Sequence, residues 1–211
     1  MTGPVLLRSA LRLTLLGLTL LGGAQGRSAA PGPGCPEHWS ALNPADLRAT
    51  RVSVRRAPLT DARGQPGPHS LSQGEAVLQG PAVGGRRCTY VPGDASRSGF
   101  LRPGDTEPLP TPTAPENGTW ERDANAGLTV TGKPGSLMLT GTGLFATASG
   151  GVNVSHLNGP LRRGESARRW VYSDGDCTLT LWPVGPWLLV QDNLKCAGAN
   201  VTFAGLYRHV R

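Results

Sequence analysis

The chain has 211 residues, among them 30 glycines and 19 prolines, and its 21 basic and 14 acidic residues leave a formal net charge of +7. So much glycine and proline disfavours long helices and suits short strands joined by many turns. The positive charge is not gathered into a basic arm, which argues against a nucleic-acid partner.

Arg8 and Arg12 precede the apolar run Leu13-Thr-Leu-Leu-Gly-Leu-Thr-Leu-Leu21, and small residues follow. This pattern predicts a secretory signal peptide over 1–26, with cleavage after Gly26 (Ala24-Gln25-Gly26) preferred to cleavage after Ala30 (Ser28-Ala29-Ala30). The run is too short for a bilayer span, which takes about twenty apolar residues. No cysteine follows it directly, so a lipid-anchored start is not expected. Removal of 1–26 takes away two arginines and no acid, and the charge falls to +5. The mature chain is therefore expected to be exported, periplasmic or extracellular, and not membrane-spanning.

A first unit is expected over 27–105. Asn43-Pro44-Ala-Asp-Leu-Arg-Ala49 reads as one or two helical turns, with Asn43 as N-cap and Pro44 at the first helical position. Val52 and Val54 alternate with Ser53 and Arg55 as in a half-buried strand. Arg63-Gly-Gln-Pro-Gly-Pro-His69 reads as irregular, and Cys88-Thr-Tyr-Val91 as a strand. So few large apolar side chains make a thin core, which a bridge closing the Cys35–Cys88 loop would strengthen by roughly 3–4 kcal/mol. The four cysteines are Cys35, Cys88, Cys177 and Cys196. In an exported chain an even count implies disulfides. Three pairings are open, and nearest-neighbour pairing puts one bridge in each half. The spacing does not suit zinc.

Thr106-Glu-Pro-Leu-Pro-Thr-Pro-Thr-Ala-Pro115 reads as a polyproline linker over 106–115. Beyond it, 116–211 alternates throughout. Strands are expected at 118–122, 127–131, 136–140, 144–148, 152–157, 168–173, 177–182, 187–192 and 200–208. Turns are expected at Gly132-Lys-Pro-Gly135, Gly141-Thr-Gly143, Gly150-Gly151, Asn158-Gly-Pro160, Asp174-Gly175 and Pro183-Val-Gly-Pro186. The fold class is mainly β: a C-terminal antiparallel barrel or sandwich of about eight short strands, preceded by a small irregular α+β unit.

Within the tail, pairing Trp182 with Trp187 across a four-residue turn sets Leu179, Leu181, Leu188 and Val190 on one face. Val201, Phe203 and Tyr207 are expected to join the same core. The two tryptophans then stand at an exposed tip, where aromatics make binding hot spots. With Arg162, Arg163, Arg168 and Arg169, which flank Gly164-Glu165, they form the expected contact surface.

The ending Cys196-Ala-Gly-Ala-Asn-Val-Thr-Phe-Ala-Gly-Leu-Tyr-Arg208, with Gly175-Asp-Cys177 before it, resembles that of small exported bacterial proteins. Their pattern is Cys-Gly-Gly-x-Asn-Val-x-Phe-x-Gly-x-Tyr-x-Arg, and Ala197 replaces its first glycine here. The resemblance covers 175–208, and 116–211 more loosely through Gly118-Thr-Trp120. It implies an exported β-module, in some cases beside lysozyme-inhibitor-like modules, and brings no catalytic residue.

No nucleophile elbow, His-Glu-x-x-His helix or phosphate loop is present. His156 reads as structural, Asp174-Gly-Asp176 as a hairpin turn rather than a calcium loop, and Glu121 with Asp123 as surface charge. The sequons at Asn117, Asn153 and Asn200 read as incidental in a bacterial chain. No catalytic residue, cofactor or metal is therefore expected. The sequence reads as a monomeric, non-catalytic binding module of the bacterial cell envelope, its partner an envelope protein or glycan. The alternatives are a lysozyme- or hydrolase-inhibitor-like protein and an enzyme acting on envelope glycans, which would need a concave pocket holding at least two of Glu121, Asp123, His156 and Glu165 within reach of each other.

Overall fold

The computed structural model describes residues 34–133, 135–196 and 199–210. The expected signal peptide with both cleavage points, and Ala197, lie outside them. The described chain is almost entirely antiparallel β-structure, in two sheets. The first holds β1 (Arg48–Val52), β2 (Arg56–Thr60), β3 (Pro66–Ser72), β4 (Ala76–Val83), β5 (Arg86–Val91), β6 (Asp94–Leu101) and β7 (Thr106–Pro108). Their order is β3-β2-β6-β5-β4-β1-β7. The second holds β8 (Gly118–Asp123), β9 (Ala126–Lys133), β10 (Ser136–Ala146), β11 (Val152–Arg163), β12 (Trp170–Asp174), β13 (Cys177–Val184), β14 (Trp187–Asp192) and β15 (Gly205–Val210). It closes as a barrel in the order β10-β11-β12-β13-β14-β15-β8-β9.

The expected barrel is thus present, while the N-terminal unit is more regular than its sequence suggested. The predicted helix is a single 3-10 turn, Pro44–Asp46, with the Asn43 side chain accepting from the Ala45 amide at 3.1 Å. The stretch read as irregular runs into β3 and supplies its first four residues. Its prolines are tolerated because β3 is an edge strand, where a missing N–H breaks no inner ladder. The proline-rich segment begins as β7, paired to β1 through Thr50↔Pro108, Arg51↔Glu107 and Val52↔Thr106. The described residues from Gly34 onward form one compact unit.

Two of the turns expected in the barrel are strand. Gly141-Thr-Gly143 lies within β10 and Asn158-Gly-Pro160 within β11. These glycines mark close packing rather than chain reversal. A Cβ on Gly141 would stand 2.6 Å from Leu128 Cδ2, one on Gly143 2.8 Å from Val201 Cγ1, and one on Gly159 3.0 Å from Tyr172 Cε2. A small closed barrel must fill its interior by setting small residues against large ones. Around these glycines lies the barrel core of Leu128, Leu139, Leu157, Tyr172, Leu179, Leu181, Leu188, Val190, Phe203 and Tyr207.

Both disulfides follow the nearest-neighbour pairing, Cys35–Cys88 and Cys177–Cys196, with Cα separations of 5.3 and 4.2 Å. The second anchors a loop over a seam in the barrel. β11 pairs with β12 only from Leu161 to Arg163. Before that, the Asn158 amide donates to the Tyr172 hydroxyl (3.3 Å), Ser155 Oγ to the Cys196 carbonyl (2.7 Å) and Asn153 Nδ2 to the Ala199 carbonyl (2.7 Å). The segment after the loop is tied just as tightly. Asp192 Oδ2 accepts from Thr202 Oγ1 at 2.7 Å and from the Phe203 amide at 2.6 Å. The Tyr207 hydroxyl donates to the Phe203 carbonyl at 2.8 Å, and burial pushes that phenol well above its usual range.

The tail hairpin departs from its expected register by two residues. The pairs are Val184↔Trp187, Pro183↔Leu188, Trp182↔Leu189 and Leu181↔Val190. The turn is only Gly185-Pro186, with Gly185 at φ 59° as the first position of a tight hairpin loop requires. Because side chains alternate with period two, the slip leaves every residue on its expected face. What changes is the environment of the outer face. Trp182 and Trp187 are 9% and 6% exposed. With Val184 and Leu189 they pack against Leu47, Ala49, Leu78, Cys88, Tyr90 and Phe100 of the first sheet. The expected exposed tip is a buried core, because the first sheet covers it. Further from the barrel, Val52, Ala57, Leu59, Leu71, Val77 and Leu101 form a third cluster within the first sheet.

The indole N–H of Trp182 is buried and has no hydrogen-bond partner among the described residues, so the ring serves its apolar packing. Trp182→Ala is expected to lose about 3–5 kcal/mol of stability. Trp182→Phe should lose clearly less, since no hydrogen bond goes with the indole. Urea unfolding of the two variants measures this, and a loss below about 1 kcal/mol for the alanine variant would mean the ring is free in solution.

Candidate functional site

The arginines expected to form a contact loop are mostly engaged within the protein. Arg168 Nη2 donates to the Ala45 carbonyl at 2.8 Å and its Nη1 to that of Leu47 at 3.4 Å, fastening the barrel to the 3-10 turn before β1. Arg163 Nη2 donates to the Ala167 carbonyl at 3.3 Å. The Arg169 stem lies over Gly164, where a Cβ would stand 3.0 Å from Arg169 Cδ. Arg162 is exposed on β11, opposite Val171. With Trp182 and Trp187 covered, these six residues do not make one accessible surface.

Of the groups considered for catalysis, Glu121 and Asp123 line one pocket of about 550 Å³ beside Thr142 and Leu144, while His156 and Glu165 lie outside it. Glu121, Gly127, Thr142 and His156 occupy one cross-strand row through β8, β9, β10 and β11. Three strand spacings separate the carboxylate-bearing strand from the imidazole-bearing one, roughly 14 Å along the sheet. The nearest neighbour of His156 is Thr142, Oγ1 to Nδ1 at 3.4 Å. Glu165 lies in the turn after β11. Burial raises the Asp123 carboxyl, but hydrogen bonds from Arg122 and from the Asn125 and Ala126 amides outweigh it and hold it below the usual carboxylate range. That carboxylate is committed to its turn and to the Arg122 ion pair at 2.9 Å. Asp174-Gly-Asp176 is a hairpin turn, Asp174↔Cys177 closing it. Among the described residues no group of three His, Cys, Asp or Glu side chains is placed to share a metal ion.

The site that geometry does assemble lies where the first sheet, the proline-rich segment and the barrel meet. There a cleft of about 480 Å³ is lined by Arg51 of β1, Ala76 of β4, Leu109, Pro110, Pro112, Glu116, Trp120 of β8, the Gly185-Pro186 turn and His209 of β15. That volume falls within the range of small-molecule sites, roughly 300–1,000 Å³. Its outer wall, residues 109–116, is fixed in place. The Leu109 amide donates to the Ala49 carbonyl at 3.0 Å. The Trp170 indole donates to the Thr113 carbonyl (3.0 Å) and the Trp120 indole to the Glu116 carbonyl (3.1 Å). The segment expected as a spacer is thus a strap, held by two indoles over the mouth of the barrel. At the floor, the Trp120 and His209 rings meet edge to face, centroids 4.8 Å apart, and His209 Nε2 lies 3.1 Å from the Asn117 carbonyl.

Rings of proline with leucine and alanine make up the apolar part of the walls, polar groups supply nearly as much of the lining, and the charges are Arg51 and Glu116. Neither makes an ion pair among the described residues, where the pairs are Arg97–Glu75, Arg102–Asp105 and Arg122–Asp123. Sequence reading missed this cleft because its lining comes from five separate stretches of chain. Only Trp120, in Gly118-Thr-Trp120, carried any local signal.

Comparison with family models, with characterised proteins and with solved structures finds no match to this chain. No helix among the described residues is long and apolar enough to cross a membrane. The two disulfides fit a protein matured in an oxidising, exported environment.

Arg168→Ala removes two charge-assisted hydrogen bonds and should lower stability by about 1–3 kcal/mol in urea unfolding. A change within about 0.5 kcal/mol would be the result for a free surface arginine instead.

Proposed function

We propose that this is a binding protein without catalytic chemistry, exported to the periplasm or beyond, which holds a component of the bacterial cell envelope in the cleft between its first sheet and its barrel. The observation that carries this reading is the cleft itself: a lining of mixed apolar and polar groups, two opposed charges without ion-pair partners among the described residues, and strands and a fastened strap around it. The engagement of Asp123 by Arg122 and its own turn, and the separation of His156 and Glu165 from that carboxylate pair, support the non-catalytic part. The resemblance of 175–208 to small exported bacterial proteins supports the compartment. In this reading the protein acts as a monomer, needs no cofactor and does not bind nucleic acid.

One observation favours a second reading, the inhibitor-like one. The β10–β11 ribbon extends past its neighbours, since β9 pairing ends at Gly143↔Ala126. Its projecting end carries Phe145, Val152 and Val154, 37%, 58% and 48% exposed. Such a tip could enter an enzyme cleft. Muramidase assays with the purified protein test it, and full enzyme activity at micromolar excess removes it.

For the leading reading, Ala76→Phe places a ring into the cleft from a half-buried strand position. Capture of envelope components by the immobilised variant should drop at least tenfold while its melting temperature stays within a few degrees. Equal capture by a folded variant would place the binding surface elsewhere.

A further inference from the structure

The chemistry of the cleft narrows its ligand, on the reading just given that the cleft is the binding site. Arg51 is held by pairing on both sides of β1, opposite Ala76 and opposite Glu107. Glu116 is held through its own carbonyl, which receives the Trp120 indole at 3.1 Å. Both backbones are therefore fixed, and both charged side chains are exposed and without hydrogen bonds or ion pairs among the described residues. The same cleft is lined by Pro110, Pro112, Pro186 and Leu109, whose side chains can neither donate nor accept a hydrogen bond.

Three ligand classes can be weighed against that lining. A glycan needs an open aromatic face on which to stack and many neutral polar partners. Trp120 is nearly buried, so its face is not on offer. A phosphorylated or otherwise polyanionic ligand would be drawn by Arg51 and repelled by Glu116. A molecule with one carboxylate, one ammonium and an apolar body satisfies both charges and the walls together. A guanidinium receives a carboxylate through two parallel hydrogen bonds, and a carboxylate receives an ammonium by charge-assisted ones. We propose that the cleft binds a short peptide with free termini, its carboxylate on Arg51, its ammonium on Glu116 and its side chain against the prolines. At about 480 Å³ the space suits a body of two or three residues.

The test is calorimetric titration of the full mature protein with Ala-Ala, Ala-Phe and Ala-Phe-Ala, followed by the N-acetyl and C-amide forms of the best of them. The proposal expects saturable binding of a free peptide, with Ala-Phe or Ala-Phe-Ala tighter than Ala-Ala. Capping either terminus should weaken it at least about tenfold. The pattern should then cross over in the variants. Glu116→Gln weakens the free peptide and no longer distinguishes it from the N-acetyl form. Arg51→Gln does the same for the C-amide. Both substitutions lie at exposed positions, and unchanged melting confirms that they fold. Equal binding of free and capped peptides, or equal binding by both variants, overturns the proposal. So does the absence of saturation by all three peptides below about 10 mM. If envelope capture still depends on the open cleft in that case, the cleft stands as the site and only the ligand class falls. If capture is also indifferent to Ala76→Phe, the site itself is wrong.

Discussion

The structure depends on one hairpin that is buried on both of its faces. From Leu179 to Val190, β13 and β14 send Leu179, Leu181, Leu188 and Val190 into the barrel. Their alternate residues, Trp182, Val184, Trp187 and Leu189, go outward under the first sheet. This pair serves as the wall between two cores, and Leu206 of β15 packs against the outer one beside it. Burying two tryptophans, a valine and a leucine is worth on the order of 6–10 kcal/mol before entropy is counted. For a first sheet whose own apolar cluster consists of six modest side chains, that contact is a contribution of the same order as the sheet's own core. The fold is thus better described as a barrel with a sheet seated on its outside than as two units on a spacer.

That seating also creates the cleft. The Gly185-Pro186 turn ends the hairpin against β1, where Gly185 lies directly on Ala49 and has no room for a side chain. Beyond this contact the sheet and barrel diverge, and the strap from Leu109 to Glu116 crosses the gap under the two indole donors. Arg51 lies two residues beyond Ala49 on the same strand face, so the apolar contact positions one charge of the cleft directly. Glu116 is positioned by the strap. The geometry of the cleft therefore inherits its rigidity from the hydrophobic contact next to it.

Much of the barrel was legible in the sequence, because a strand with one face in a core alternates in polarity, and seven of its strands do so plainly. The register slip in the tail hairpin was invisible for the same reason: a shift of two preserves the alternation. The burial of Trp182 and Trp187 left a signal that alternation alone passes over. Leu181-Trp-Pro-Val-Gly-Pro-Trp-Leu-Leu-Val190 is almost continuously apolar, the mark of strands covered on both faces. Gly141, Gly143 and Gly159 read as turns because glycine permits turns, yet here they answer to neighbours distant in sequence, Leu128, Val201 and Tyr172. The first sheet was obscure since its strands are short, rich in proline and arginine, and borrow their core from the barrel. The residues of the ending are fastenings: Thr202 and Phe203 on Asp192, Tyr207 on Phe203, and Arg208 Nη2 on the Pro92 carbonyl at 2.9 Å. They explain that stretch as architecture.

If the outer face of the hairpin is the shared core, the first sheet cannot open independently of it. Native-state hydrogen exchange resolves this segment by segment. The account predicts that the amides of β4 and β5, beneath the tryptophans, open with the same free energy as those of β13 and β14, and that Trp182→Ala lowers both together. Exchange of β4 and β5 at a free energy several kcal/mol below that of the hairpin, unchanged by the substitution, would contradict it.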